Sequence, residues 1–527
     1  MSKLILSILF GAISLSGMKQ ANFAQDIHVT ATNGFDCKNE RVSVAYNGDI
    51  YIGRIKKHPD DVNYFSWEII KSTDNGSTWT TFAAPSLVFL GNKFTSFDMI
   101  VAGNVTANNF RIFVVMGRVN STNTATLNAY SYDESGNRTS LSFDGESYTT
   151  SAVNGGFKSV SLASDWKQKN SNATNYTISC AVLKVNESSD SIIGFTTQSS
   201  LVNFNRRGFY RTISYIKSVS AAVGSCSSSN SSFGRLGIVW DEFPNSDSEY
   251  GIIKAYFSRP DSPSLSGTGI GIHTIDGPNF WYRNPSIAMS QEANENDIRT
   301  AITYEVSGTS GYYRILQKKS NSLISNPPVF NDFVFISPAN HNSYTPHVVY
   351  DHVYNNFLHT YYNSTVKTIP YKLTSLNSSP TAEPAVFSGN IRDASSNISD
   401  VYPRVDFSNS SAKAVFIWND EKRTYLDYET SILGIEEESN ETFSSIVAFP
   451  NPTIDHLTMS FDSKGNYNID FVIIDITGRE IQQEEKTVQI GKNNITLNTS
   501  NLENGQYILL ISSPSERKTI HFIKGNQ

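Results

Sequence analysis

Between residues 285 and 428 the chain repeats one pattern three times. Each copy opens at a proline: Pro285-Ser286-Ile287-Ala288, Pro346-His347-Val348-Val349 and Pro403-Arg404-Val405-Asp406. A more apolar run follows at 301–306, 357–362 and 414–418, and then a tyrosine-bearing run at 312–317, 366–373 and 424–428. Successive opening prolines are 61 and 57 residues apart. The runs are short, rich in β-branched and aromatic residues, and bounded by turn formers, so each reads as a strand. Proline cannot donate to a sheet ladder, which fits a strand that begins after it. Four earlier copies lack the proline but keep the order: 42–46, 50–54 and 67–71; 97–101, 110–116 and 127–132; 160–163, 177–185 and 192–197; 213–220, 236–240 and 252–258.

A three-strand unit cannot cover its own faces, so an array of such units must stack into a solenoid or close into a propeller. Irregular spacing and long polar connections favour the propeller, whose closure removes exposed sheet edges. The expectation is an all-β chain with a β-propeller over residues 25–433, read as seven blades with six or eight left open. Aromatic residues make up 12 % of the chain and charged residues 17 %, which suits half-buried pleated surfaces. The formal charge of −7 argues against nucleic acid, which asks for a basic patch, and against an anionic membrane surface. No stretch is long and apolar enough for a transmembrane segment.

One turn is fully specified. In Ser72-Thr73-Asp74-Asn75-Gly76-Ser77-Thr78-Trp79, Asp74 can accept hydrogen bonds from the turn backbone and Gly76 can supply the left-handed conformation. Trp79 would then pack between neighbouring sheets, so Ser72, Asp74, Gly76 and Trp79 form a structural unit and not a catalytic one. Tyr132-Asp133-Glu134-Ser135-Gly136 looks like a decayed copy. The unit resembles the Asp box, S-x-D-x-G-x-x-W, of sialidase-like (BNR-repeat) β-propellers. That resemblance implies a sialidase-like propeller and raises the prospect of a glycoside hydrolase with three carboxylate-binding arginines, a Tyr–Glu nucleophile pair and an aspartic acid. By position, Arg41 in Arg41-Val42-Ser43 matches the first family arginine without its following proline. Arg54 matches a second, and Asp60 or Asp61 stands near the place of the acid. These are the catalytic candidates; the Tyr–Glu pair has no assigned position, and Arg283 and Arg404 are further arginines by blade position only.

A second constellation follows from the repeat itself. Residues flanking the opening prolines hold equivalent places, so Tyr282 and Arg283, Tyr344 and His347, and Tyr402 and Arg404 are expected to converge near the axis as ligand-binding residues. Tyrosine rings with guanidinium and imidazole groups suit a sugar or a carboxylate. Asp241-Glu242 could supply half of a glycosidase pair, which needs two carboxyls about 5–10 Å apart, or could be a strand-end loop. The nine histidines are scattered and form no zinc motif, so neither metal nor cofactor is expected. Cys180 reads as a buried small hydrophobe, whereas Cys37 and Cys226 lie in loop-like sequence and are free to pair or not. Asn104, Asn172 and Asn230 head Asn-X-Ser/Thr triplets, and Asp190-Ser191-Ile192 resembles a short O-glycosylation motif of Bacteroidota.

The two ends of the chain carry a different message. Lys3, an apolar run at 4–15 and no further charge until Lys19 read as a signal peptide over 1–24, with cleavage after Ala24 and Asn22 at the −3 position. Residues 434–445, with Glu436-Glu437-Glu438, read as an acidic linker. Beyond it come three strand-like blocks: Val447-Ala448-Phe449-Pro450-Asn451-Pro452 with a strand at 457–461, then 471–481, then 502–511 with 520–524. In this order they resemble the type A C-terminal sorting domain of the type IX secretion system of Bacteroidota. The resemblance implies a small immunoglobulin-like β-sandwich over 446–527 and partnership with the secretion machinery and a sortase-like peptidase. It also implies passage through the periplasm to the outer-membrane surface or the medium. The cargo is then expected to be a module that binds an extracellular glycan or protein, with a divergent sialidase-like hydrolase as the alternative.

Overall fold

The computed structural model describes residues 27–29, 36–57, 64–84, 89–90, 93–103, 109–143, 149–151, 155–166, 176–186, 189–198, 203–226, 235–258, 272–277, 280–292, 297–307, 311–320, 330, 332–352, 356–375, 387–390, 401–407, 414–420, 423–428, 443–463, 465–475, 479–512 and 517–525. The signal peptide, Asp60, Asp61, residues 434–442 of the linker, Asn104, Asn172 and Asn230 lie outside this set. The chain divides into two compact units, 1–433 and 434–527.

The first unit is a seven-bladed propeller of four-stranded antiparallel sheets. Blade 1 runs outward through Asp36–Val44, Ile50–Lys57, Tyr64–Ser72 and Thr80–Ala83. Blade 2 is Lys93–Ala102, Arg111–Val119, Thr124–Tyr132 and Arg138–Phe143, and blade 3 is Gly156–Ser164, Thr177–Asn186, Ser189–Gln198 and Asn203–Thr212. Blade 4 is Tyr215–Cys226, Arg235–Phe243, Ile252–Ser258 and Ile272–Asp276, and blade 5 is Trp281–Met289, Thr300–Ser307, Tyr313–Ser320 and Asp332–Phe335. Blade 6 is Ser343–Asp351, Asn356–Asn363, Pro370–Ser375 and Phe387–Asn390. Blade 7 takes three strands from the end of the unit, Arg404–Phe407, Ala414–Asp420 and Arg423–Tyr428. Its outermost strand, Ile27–Val29, comes from the beginning. That N-terminal strand pairs Ile27 with Leu426 and Val29 with Thr424 and so fastens the ring. The innermost strands pack in sequence around the ring, each on the next, and the innermost strand of blade 7 meets that of blade 1.

Burial explains why the second strand of each unit was the most apolar in the sequence. Arg235–Phe243, Thr300–Ser307 and Asn356–Asn363 are buried at every position, because neighbouring blades cover both of their faces. Further out, Thr124–Tyr132 alternates between half-buried and buried positions along most of its length. The outermost strands were not foreseen, since one-sided burial leaves them little apolar pattern; Arg138–Phe143 buries only Leu141.

Each blade is also tied to the next at its innermost strand by a side chain that accepts a backbone N–H. Ser43 Oγ accepts from Val101 at 3.0 Å, Asp98 Oδ2 from Leu162 at 2.7 Å and Ser161 Oγ from Ala221 at 3.0 Å. Ser220 Oγ accepts from Ile287 at 3.4 Å, Ser286 Oγ from Val348 at 3.1 Å and His347 Nδ1 from Val405 at 3.4 Å. Asp406 Oδ2 closes the circuit by accepting from Val44 at 2.8 Å. Inner-strand amides that face a neighbouring blade, and not a strand of their own sheet, are thereby satisfied.

The second unit is a two-sheet sandwich. Phe443–Phe449, His456–Ser463 and Gly491–Asn498 form one sheet; Glu480–Val488, Tyr467–Asp475, Gly505–Ser512 and Arg517–Lys524 form the other. Leu457, Phe461, Phe471, Leu509 and Phe522 are among the residues of its core. Its first strand starts at Phe443, inside the expected linker, so the boundary shifts three residues toward the N-terminus.

Candidate functional site

The opening prolines mark β-bulges. In blades 5 and 6 the innermost strand breaks register between Arg283 and Ser286 and between Tyr344 and His347. The residue before each proline is left-handed, Asn284 at φ 51° and Thr345 at φ 52°, and Asn39 in blade 1 is similar at φ 53°. A bulge re-aims the side chains on either side of it. Its exposed amide needs a partner, and the previous blade supplies one. Asn284 N donates to Asp241 Oδ2 at 3.0 Å, and Thr345 N donates to Glu305 Oε1 at 2.7 Å. Asp241 also accepts from the backbone of Lys217 and Ser218 and from Ser218 Oγ. It is therefore a buried clamp between blades 4 and 5, and neither a loop residue nor a glycosidase carboxylate. Burial pushes both Asp241 and Glu305 above the usual carboxylate range in spite of these donors.

Because of the bulges, the expected axial group splits in two. His347 and Arg404 stand on the innermost strands of blades 6 and 7; the charges of Arg404 and Arg41 reach His347, and those of Arg41 and Asp98 reach Arg404. Arg41 Nε meets Asp98 Oδ1 at 2.8 Å, and Asp98 Oδ1 also accepts from Met99 N. Burial pushes the Asp98 carboxyl up; the Arg41 charge and the Leu162 and Met99 amides pull it back only in part. Arg404 Nη1 donates to the Pro403 carbonyl at 3.0 Å. Among the described residues no carboxylate lies within ion-pair distance of Arg404, although Asp98 is near enough for its charge to be felt. Burial, then the neighbouring charge of Arg41, brings the Arg404 guanidinium down to about 9. Burial, then the charges of Arg404 and Arg41, holds His347 well below the usual imidazole value. Its Nδ1 accepts a hydrogen bond, so the proton sits on Nε2 as an available donor. Tyr402, 53 % exposed, stands beside Arg404.

The rest of the expected group has partners of its own. Arg283 turns to Glu305, Nε to Oε2 at 2.6 Å, and its guanidinium lies over the rings of Tyr313 at 4.2 Å and Tyr344 at 5.7 Å. Tyr282 is buried at 5 % exposure between blades 4 and 5, edge-on to Tyr304, and is a core residue. Arg283 and Tyr282 thus stand apart from His347 and Arg404, whereas Arg41 and Asp98 lie near them. Nothing in the sequence pointed to Asp98, whose partners are 57 and 64 residues away.

Of the sialidase candidates, Arg41 and Arg54 do not come together. Arg54 is fully buried and bonded to Glu68 and to Thr424 Oγ1 of blade 7, while Arg41 points to Asp98 of blade 2. The alternation of a strand explains this. Arg41 pairs across the ladder with Gly53, so Arg54, one residue on, faces the other side of the sheet. A hydrogen-bonded Tyr–Glu pair does exist: Tyr210 Oη donates to Glu242 Oε2 at 2.9 Å, with Lys254 Nζ at 2.9 Å from both. It sits between the outermost strand of blade 3 and the second and third strands of blade 4, away from the innermost strands that carry Arg41 and Arg404.

At the Asp box, Ser72 Oγ donates to Asp74 Oδ1 at 2.8 Å, and Asp74 accepts from Thr78 N at 2.8 Å and Thr78 Oγ1 at 2.6 Å. Gly76 has φ 88°; a side chain there would press on Leu426 and Ile27 of blade 7, and Trp79 packs against the same cluster. Asp133 holds the matching turn of blade 2 through Ser135 N and Asn137 N. Cys180 and Cys226 are both buried, and the side chain of Cys37 lies outside the described residues. Ser191 is 3 % exposed, which removes Asp190-Ser191-Ile192 from the surface of the folded protein. Among the described residues no group of three or more acidic, histidine or cysteine side chains could hold a metal ion.

Residues 447–524 match the family described as the secretion system C-terminal sorting domain. The chain therefore carries a type IX sorting tail, and that tail directs export from the cell. No curated protein matches the chain. Among solved structures it is similar to the α-L-arabinanase of Penicillium chrysogenum complexed with arabinobiose, at 9 % identity over 77 % of this chain and 98 % of that one, with a TM-score of 0.40. A protein of unknown function from Dyadobacter fermentans gives 11 % identity, 78 % and 100 % coverage and 0.39. A Hadza microbial sialidase gives 9 % identity, 65 % and 66 % coverage and 0.36. No residue role is carried across from any of them.

Proposed function

We propose that the exported protein is a carbohydrate-binding propeller that holds a carboxylated sugar at its axis. The observation that carries this reading is the setting of Arg404: among the described residues no carboxylate lies within ion-pair distance of it, and Asp98, whose charge it feels, is already paired with Arg41. A bound carboxylate would give Arg404 its ion-pair partner, with His347 Nε2–H facing a sugar hydroxyl and the exposed Tyr402 ring beside it. The tail is then removed by a sortase-like peptidase near the 434–442 segment, which leaves the propeller at the outer-membrane surface of a Bacteroidota cell or free in the medium.

The test is a glycan array probed with the propeller, residues 25–442. Binding is expected only to glycans carrying a carboxylate, and Arg404→Gln should weaken it at least tenfold. Equal binding to neutral sugars, or none to any acidic sugar, overturns the reading. The hydrolase alternative draws on Tyr210 and Glu242 and predicts release of sialic acid from a fluorogenic sialoside. The separation of that pair from Arg41 and Arg404 favours binding without hydrolysis.

A further inference from the structure

An aromatic strip leads away from the axial group. Tyr250, after the second strand of blade 4, is 56 % exposed and meets the edge of Trp281 with ring centres 5.5 Å apart. Trp281 opens the innermost strand of blade 5 and lies 5.9 Å from Tyr313. Tyr313 lies 5.4 Å from Tyr344 of blade 6. All four belong to the face of the propeller from which the innermost strands start. None of Trp281, Tyr313 and Tyr344 is fully buried. A contiguous run of wet aromatic rings is a costly surface unless something covers it.

The strip is also held in place. Arg283, locked to Glu305, lies over Tyr313 and Tyr344, and Tyr313 N donates to Asn342 Oδ1 at 3.0 Å. Tyr344 adjoins Thr345, whose Oγ1 donates to the Val401 carbonyl beside Tyr402. The aromatic surface thus runs from blade 4 to the edge of the axial group. The ring planes turn by 88°, 38° and 44° from one member to the next. A flat sheet of ligand cannot lie on such a strip, but a chain of sugar rings that turns as it advances can present a C–H face to each.

We infer that Tyr250, Trp281, Tyr313 and Tyr344 form an extended subsite for an acidic oligosaccharide whose carboxylated end sits at Arg404. This rests on the axial reading above and adds the class of ligand: a chain, not a single sugar. Charge complementarity selects the acidic chain, since the strip ends toward Arg404, which has no carboxylate within ion-pair distance among the described residues.

The test is calorimetric titration of the propeller, residues 25–442, with sialic, glucuronic and galacturonic acids and with tetrasaccharides terminated by each. At least one tetrasaccharide should bind at least 30-fold tighter than its acidic monosaccharide. Trp281→Ala and Tyr250→Ala should each remove fivefold or more of the tetrasaccharide affinity and leave the monosaccharide within twofold. Tyr250→Leu, which keeps the bulk of an exposed position, serves where Trp281→Ala lowers the melting temperature. Monosaccharide binding without any gain from chain length overturns the strip and spares the axial site. Loss of binding to every acidic sugar overturns both. Binding of a Glu-rich peptide in place of the tetrasaccharides, abolished by Trp281→Ala, overturns the strip as a sugar subsite and makes it a protein-binding surface.

Discussion

His359 shows what a single buried side chain sets at the residue scale. It lies in the second strand of blade 6 at 1 % exposure, between Thr303 Oγ1 of blade 5 at 3.4 Å and Thr374 Oγ1 at 3.0 Å. Burial, reinforced by the charges of Lys372 and Lys319, lowers its pKa to about 3. The unfolded imidazole protonates near pH 6.5 and the folded one does not. The unfolded state therefore binds more protons between these values, and stability falls as the pH drops below about 6.5. At pH 5 this amounts to about 2 kcal/mol. Buried carboxylates such as Glu305 and Asp241, raised by burial, act with the opposite sign, so the contribution is read as a difference. Urea unfolding at pH 7 and pH 5 should show wild type losing about 2 kcal/mol more than His359→Gln; equal losses would remove the assignment. A histidine in an apolar run was visible in the sequence, but its neighbours across the blade were not.

At the element scale the second and third strands of every blade were legible, because two-sided burial and period-2 alternation leave a composition that survives without tertiary context. Two kinds of element were not. The bulges were visible only as prolines, so Arg283 was expected at the axis, whereas the register shift and Glu305 turn it toward Tyr313. The closing strand is three residues long, too short to carry a period, and its partners lie some four hundred positions away. Its importance rests on packing: Val29 is fully buried against Val415, Ile417 and Leu426, with Gly76 and Trp79 of the Asp box at the same seam. Val29→Asp would bury an unpaired carboxylate there, at a cost of several kcal/mol. Ring opening should follow, seen as rapid proteolytic loss of the chain N-terminal to blade 1. Asp74→Ala, which removes turn hydrogen bonds without opening the seam, should lower the melting temperature and leave the N-terminal strand resistant to protease.

The whole molecule is a cargo with a sorting domain attached, and the two parts were unequally readable. The tail's blocks are local, and their order alone identified them; the sandwich then set the domain start at Phe443. Deletion of residues 443–527 should leave a folded propeller in the periplasm, measured by cell fractionation with the melting temperature of the propeller unchanged. Normal delivery to the surface or medium without these residues would contradict a sorting role. Sequence by itself determined the all-β class, the repeating unit and the export route, and left the count at seven with six or eight open. Each of these depends on patterns within a few tens of residues, where side-chain period and turn chemistry act directly. Tertiary structure alone decided which side chains meet: Arg41 with Asp98 and not with Arg54, His347 with Val405, Arg283 with Tyr313. Those meetings depend on bulges and on the facing of neighbouring blades, and a shift of one residue along a strand sends a side chain to the opposite face.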